Sequence, residues 1–155
     1  MRRNTSLGLE LFNKNYVRDN FYFLSETKWY DIDEEGNINK PLMNRAAIYI
    51  YMCSSISHNK PRYYVGSTIK LKTRVSSHKY YPTNWSKYKD NRIGCPVFYK
   101  SVSKYGWLRF KFGILKYIAL PNQIEIELRK KITLEKEQYY LDNINPSLCK
   151  KRILS

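Results

Sequence analysis

The chain has 155 residues and a formal net charge of +15, from 28 lysines and arginines against 13 acidic residues. This length allows one ordinary domain with an extension, and no apolar run approaches the roughly 20 residues that a membrane-spanning helix needs. So much charge of one sign predicts a polyanionic partner. Nucleic acid, either DNA or RNA, is favoured over an anionic membrane because no basic amphipathic helix with a broad apolar face is evident.

The positive charge is concentrated in the middle of the chain. Residues 60–116 contain fourteen lysines and arginines and a single acid, Asp90. Phosphate contacts supply most of a protein's non-specific affinity for nucleic acid, so this stretch is expected to bind the phosphate backbone. The residues expected to make these contacts are Lys70, Lys72, Arg74, Lys79, Lys87, Lys89, Arg92 and Lys104.

The cysteines and histidines are too few and too scattered to predict a zinc site or a disulfide framework. Cys53, Cys95 and Cys149 lie far apart, and the chain has two histidines. The abundant lysine, asparagine, isoleucine and tyrosine have AT-rich codons, which favours a gene from an AT-rich organelle. The expected location is therefore the mitochondrion or another such organelle.

Residues 1–45 are predicted to form an N-terminal extension. Polar residues alternate there with aromatic ones, including Tyr16, Phe21, Trp29 and Tyr30, and an acidic turn follows at 31–37. The aromatic residues are too many for a plainly disordered tail, so they are expected to pack on the domain or on a partner.

Residues 46–149 are predicted to form the domain, and 150–155 a basic tail. The order of the elements predicts an α+β fold, a small three-stranded antiparallel sheet flanked by helices. In chain order we expect strands at 47–53 and 62–66, a helix at 70–79, a polar loop at 80–94, a helix at 97–104, a strand at 107–118 and a helix from about 122 to 143.

The hairpin and the helix after it resemble the nuclease domain of the GIY-YIG family. Ala47-Ile48-Tyr49 corresponds to the first triplet and Tyr64-Val65-Gly66 to the second. Arg74 follows Tyr64 by ten residues, as in the family, and His78 lies four residues further on the same helix face. The KYGW segment at 104–107 is also similar. The resemblance covers about residues 46–149.

The resemblance implies catalytic roles for these side chains. Tyr49 would orient or, as a phenolate, deprotonate the attacking water, and Tyr64 would hold the phosphate or a water network. Arg74 would stabilise the charge of the transition state, and His78 would assist proton transfer. Gly66 is expected to let the backbone turn tightly into the helix.

A glutamate on the last helix binds a divalent metal in this family, and the EKEQYYL segment at 135–141 matches that pattern. The resemblance assigns the metal to Glu137, as a single Mg²⁺ or Mn²⁺ site. Glu137 lies three residues after Leu134 and four before Leu141, so it is expected to interrupt an apolar stripe. A carboxylate facing the domain is uncommon without a partner or a metal.

Each of these residues also has an ordinary structural interpretation. Tyrosines in a hairpin usually form cross-strand pairs, Arg74 and His78 would be surface residues of a helix, and Glu137 would pair with a lysine. Their joint order and spacing favour the nuclease interpretation.

Several departures from the family favour a second hypothesis. Ala47 replaces a glycine, fourteen residues separate Tyr49 from Tyr64, and Cys149 stands where the family commonly has an asparagine. Site-specific relatives also carry a DNA-reading module after this domain, and the sequence stops a few residues past it. The alternative is a catalytically silent RNA-binding subunit of a large ribonucleoprotein such as a mitochondrial ribosome, with ribosomal RNA and proteins as partners.

Overall fold

An antiparallel sheet organises the part of the chain that the structure describes. The computed structural model describes residues 24–54, 61–88, 95–121 and 123–149. In this part of the chain the strands are β1 (Trp29–Asp31), β2 (Ala47–Cys53), β3 (Arg62–Thr68) and β4 (Phe110–Tyr117), in the spatial order β1-β4-β2-β3. The helices are α1 (Leu71–Thr83), α2 (Trp85–Tyr88), α3 (Pro96–Tyr105) and α4 (Ile126–Ile144), with a 3₁₀ turn at Trp107–Arg109.

The α+β class with an antiparallel sheet is confirmed, but the sheet has four strands where three were predicted. The additional strand, β1, comes from the N-terminal extension and pairs with β4, so that Tyr30 lies opposite Phe112. The Trp29 ring lies 6.4 Å from that of Tyr63. This part of the extension packs on the domain, as expected, whereas Tyr16 and Phe21 lie outside the described residues. A three-residue strand is shorter than the alternating pattern that identifies strands in a sequence.

The predicted loop at 80–94 is wrong at its start, because α1 continues to Thr83 and α2 follows. The added helical turns place Tyr81 and Trp85 against Tyr99 of α3, with ring centroids 5.9 and 6.3 Å apart. Packing between the helices overrides the weak helix propensity of this tyrosine- and asparagine-containing stretch.

The central strand β2 is buried on both faces. Tyr49 and Tyr51 point to the layer that contains α1 and α3, and they pack there with Phe98. Ile48 and Ile50 point to the opposite face, which α4 covers. Alternation along the strand therefore puts the tyrosine of the first triplet beneath α1, where Arg74 and His78 lie.

Within the stretches that the structure describes, no helix combines the length and apolar character that crossing a bilayer requires.

Candidate active site

Tyr49 occupies a position that only a glycine on the neighbouring strand permits. Tyr49 lies opposite Gly66 in the β2–β3 pairing. A Cβ atom on Gly66 would lie 2.5 Å from the Tyr49 hydroxyl oxygen, closer than real Cβ contacts. The expectation that Gly66 makes the turn into the helix is therefore wrong. Gly66 lies inside β3, which continues to Thr68, and it leaves room for the phenol.

His78 connects two buried tyrosines. Its Nε2 atom lies 2.6 Å from the Tyr49 hydroxyl, and its Nδ1 atom lies 2.7 Å from the hydroxyl of Tyr99 on α3. The imidazole has no exposed surface. Burial lowers the pKa of His78 well below its usual value, and the charge of Arg74 lowers it further. The ring is therefore neutral at neutral pH, with one nitrogen that donates a hydrogen bond and one that accepts.

Arg74 lies beside the Tyr49 phenol, one helical turn before His78. It is within hydrogen-bonding reach of the Tyr49 oxygen, and its Nη2 atom lies 3.7 Å from the Cys95 sulfur. Burial raises the pKa of Tyr49, and the positive charge of Arg74 opposes that rise. Tyr49 is a neutral phenol at neutral pH, with a cation placed to stabilise its phenolate.

The Tyr64 side chain points to Cys95, a residue that no pattern in the sequence assigns to the site. The Tyr64 hydroxyl lies 2.9 Å from the Cys95 sulfur, and its ring stacks on Phe98 at 4.3 Å and 6°. Cys95 immediately precedes α3, and Tyr99 follows it by four residues. This one-turn spacing places both on one helix face, but nothing in the sequence indicates that the face contacts the site.

Glu137 lies on the inward face of α4, beyond the edge strand β3. The hydroxyl of Ser67 donates a hydrogen bond to the Glu137 carboxylate. Burial is the main cause that raises the pKa of the Cys95 thiol, and the negative charge of Glu137 adds to the rise. The carboxylate therefore lies close enough to the Tyr64–Cys95–Arg74 group to act on it electrostatically.

The expectation that Leu134 and Leu141 form an apolar stripe around Glu137 is wrong for Leu134. Leu134 is 58% exposed, and the inward line of the helix instead contains Thr133, Glu137, Leu141 and Ile144. Two spacings of four and one of three residues keep this line on one face. The helix is rotated so that the carboxylate, not Leu134, faces the sheet.

The donor set at Glu137 fits a hydrated divalent cation. Among the described residues no three His, Cys, Asp or Glu side chains cluster as metal ligands. A single carboxylate, partly exposed and oriented by the Ser67 hydroxyl, suits Mg²⁺, which usually keeps several waters and takes one or two protein carboxylates.

Cys149 contacts the backbone of the edge strand. Its sulfur lies 3.4 Å from the Val65 nitrogen and 3.3 Å from the Val65 oxygen, and the Leu148 nitrogen donates to the Tyr63 oxygen. The segment at 146–149 thereby covers part of the open edge of β3. Cys149, which stands at the family's asparagine position, therefore contacts the Val65 backbone with its side chain.

The basic residues selected from the sequence lie in different environments. Lys70 and Lys72 are exposed at the start of α1, and Lys87 and Lys104 are exposed on α2 and α3. Lys79 is partly buried and donates to the Asn37 side-chain oxygen at 2.6 Å. Lys89 and Arg92 lie outside the described residues. Lys70 and Lys72 are the members closest in sequence to Arg74.

The buried His78 makes the fold sensitive to acid. Its pKa is well below the usual 6.5 in the folded chain, so between that lowered value and 6.5 the unfolded chain binds a proton that the folded chain does not. The free energy of unfolding is therefore expected to fall as pH decreases below about 6.5, by up to about 1.4 kcal/mol per pH unit. Thermal unfolding at pH 7.5 and 5.5 measures this, and His78→Gln should reduce the pH dependence. An equal dependence in the variant contradicts the assignment.

Comparison with known proteins identifies the domain. The family model of the GIY-YIG catalytic domain matches residues 46–151, about two-thirds of the chain. Neither the curated proteins nor the solved structures gave a significant match. The chain belongs to the GIY-YIG family, whose catalytic domain is of a type that cleaves nucleic acids.

Proposed function

We propose that this protein is an endonuclease that hydrolyses phosphodiester bonds in DNA or RNA with one divalent metal ion, Mg²⁺ or Mn²⁺. The observation that carries the proposal is the contact of Tyr49 with both His78 and Arg74. These residues come from β2 and from two successive turns of α1. A water-activating group, a proton acceptor and a cation thereby lie side by side.

Arg74 binds the scissile phosphate in this proposal. Arg74 is partly exposed, and its positive charge acts on the Tyr49 phenol. A planar fork of donors suits a phosphate whose charge grows in the transition state. Cys95 and Tyr49 contact the guanidinium from within, so an arriving phosphate would compete with Tyr49 for its donors.

Tyr49 and His78 activate the attacking water. The Tyr49 proton passes to His78 Nε2, the phenolate oxygen takes a proton from the water, and the resulting hydroxide attacks phosphorus. The bond to the leaving oxygen then breaks, and that oxygen takes a proton from solvent. His78 releases its proton to solvent, so that both residues return to their starting states. Tyr49 has no exposed surface, so the water must enter by displacing one of the present neighbours of the phenol. Arg74, which is partly exposed, is the neighbour that a bound phosphate would draw away.

Glu137 holds the metal ion in this scheme. Nucleases of this family generally use divalent metal ions. When bound, such an ion neutralises phosphate charge as a Lewis acid. The Ser67 hydrogen bond fixes the orientation of the carboxylate that would hold the cation.

Tyr64 and the lysines support binding. Because the Tyr64 hydroxyl lies at Cys95, which also contacts Arg74, Tyr64 acts on the phosphate through Arg74. The exposed Lys70 and Lys72 contact flanking phosphates, so the affinity for nucleic acid should decrease as salt rises.

A nicking assay tests the proposal. Supercoiled plasmid and a labelled structured RNA are incubated with purified protein in Mg²⁺, in Mn²⁺ or in EDTA. Cleavage of at least one substrate is expected with a metal and not with EDTA. The Arg74→Ala variant, purified identically, should not cleave, which excludes a contaminating nuclease.

One observation favours the second candidate function. Cys149 replaces the family's asparagine, and its sulfur contacts the Val65 backbone, so one polar group of the family's site is missing. If neither metal supports cleavage by protein that binds RNA tightly, the nuclease proposal fails. A silent RNA-binding subunit of a mitochondrial ribonucleoprotein then replaces it, and co-purification with ribosomal particles tests that function.

A further inference from the structure

Tyr99 contacts the one ring nitrogen of His78 that the proposed chemistry does not use. Its hydroxyl lies 2.7 Å from Nδ1, and its side chain is 1% exposed. Tyr81 and Trp85 pack against its ring, so the hydroxyl has little freedom to move. Because Tyr99 contacts Nδ1 and Tyr49 contacts Nε2, the influence of Tyr99 on the proposed chemistry passes through His78.

The hydrogen-bond partners of Tyr49 favour one tautomer of His78. The positive charge of Arg74 lies beside the Tyr49 oxygen. Because a guanidinium can only donate, Arg74 favours an orientation in which a lone pair of that oxygen, and not its proton, faces it. The Tyr49 O–H then points to His78 Nε2, which must accept. A neutral imidazole that accepts at Nε2 carries its proton on Nδ1. The opposite tautomer would place the Nε2 proton and the Arg74 protons against the same oxygen.

Tyr99 is arranged to accept the Nδ1 proton. Its own hydroxyl proton has another possible acceptor, because the Cys95 side chain lies close enough to Tyr99 to interact with it. The donors and acceptors therefore run in one direction, from Tyr49 to His78, from His78 to Tyr99 and from Tyr99 to Cys95. Tyr51 and Tyr64 contact the His78 ring edge-on, with ring centroids 5.8 and 5.7 Å away.

We propose that Tyr99 is a positioning residue that holds His78 in the Nδ1–H tautomer, so that Nε2 is free to take the Tyr49 proton. The catalytic consequence rests on the proposed nuclease function, whereas the tautomer itself does not. When His78 becomes an imidazolium, the Tyr99 oxygen continues to accept the Nδ1 hydrogen bond, and the buried cation keeps a partner on each nitrogen.

Nitrogen-15 NMR of the histidine rings tests the tautomer directly. The chain has only two histidines, and a His58→Asn variant assigns the signals of His78. We expect the Nδ1–H pattern in the wild-type protein and a shift towards Nε2–H in Tyr99→Phe, which keeps the packed ring but lacks the acceptor. The matched control is Tyr51→Phe, because within the described residues the buried Tyr51 hydroxyl has no hydrogen-bond partner. This control should leave the tautomer unchanged.

Kinetics on the same variants separates this inference from the nuclease proposal. Tyr99→Phe should lower kcat by about 10- to 100-fold with KM unchanged, and Tyr51→Phe should not. An Nε2–H tautomer in the wild-type protein, or the same tautomer in wild type and Tyr99→Phe, overturns the inference. A wild-type Nδ1–H tautomer that Tyr99→Phe shifts supports it even if the protein cleaves nothing, because the NMR measurement does not depend on activity.

Discussion

The Glu137→Gln substitution is expected to lower the rate of phosphodiester cleavage by about a thousandfold or more. Glutamine keeps the size of the side chain and an oxygen that can accept the Ser67 hydrogen bond, but it removes the charge that would hold the cation. A bound metal ion stabilises the transition state by several kcal/mol. Glu137 is the one carboxylate that is proposed to bind this ion. Single-turnover cleavage, measured over a range of Mg²⁺ concentrations, gives the effect.

A neighbouring glutamate provides the control for that prediction. Glu135 is exposed on the same helix, so Glu135→Gln changes the net charge equally without touching the site. It should cleave at the wild-type rate. Affinity for nucleic acid in EDTA should not decrease in Glu137→Gln, since the change removes a negative charge near the bound phosphate. Wild-type cleavage by Glu137→Gln would show that the metal is not held by this residue.

The Tyr49→Phe substitution is expected to lower kcat by about 10²- to 10⁴-fold, the usual contribution of a positioned general base. Phenylalanine preserves the ring contacts with Phe112 and with the edge of Tyr51. The hydroxyl that would take the water's proton is lost, and His78 Nε2 is left buried without its partner. An unpaired buried nitrogen should also reduce the free energy of unfolding by about 1–3 kcal/mol.

Tyr51→Phe is the matched control for this prediction as well. Tyr51 lies two residues further on the same strand and face, also fully buried, but its hydroxyl has no hydrogen-bond partner within the described residues. Removing that hydroxyl should leave cleavage unchanged and should not destabilise the fold. If both variants lose activity equally, general disturbance of the aromatic cluster explains the effect, and the assignment of Tyr49 as base fails.

Much of the fold could be predicted because its signals are local. The β-branched and aromatic run at β2, the glycine after α3 and the Asn145-Pro146 pair after α4 each determine structure through their own backbone preferences. The short β1 could not be predicted in this way, because it is a strand only through its pairing with β4. The division into residues 1–45, 46–149 and 150–155 stays a prediction.

The site, like the fold, has features that local sequence predicts and features that only the packing of distant segments determines. The four-residue spacing of Arg74 and His78 predicts one helix face, and the structure brings both to Tyr49. The catalytic roles of these residues stay predictions. The partners of the site, Cys95 and Tyr99, come from a helix whose docking against α1 no local pattern specifies. The direction of the Tyr64 hydroxyl also depended on that packing. The exposure of Leu134 depended on how α4 packs against the sheet.

The sequence by itself determined the α+β class, the basic character and the spacing of the residues that resemble the family, because propensity, charge and helical period are properties of neighbouring residues. Only the tertiary structure decided which groups surround Tyr49 and His78. Hydrogen bonds across 21 or 29 residues depend on how α1 and α3 pack on the sheet. That packing arises from the burial of aromatic side chains from all these elements together, so no single segment encodes it.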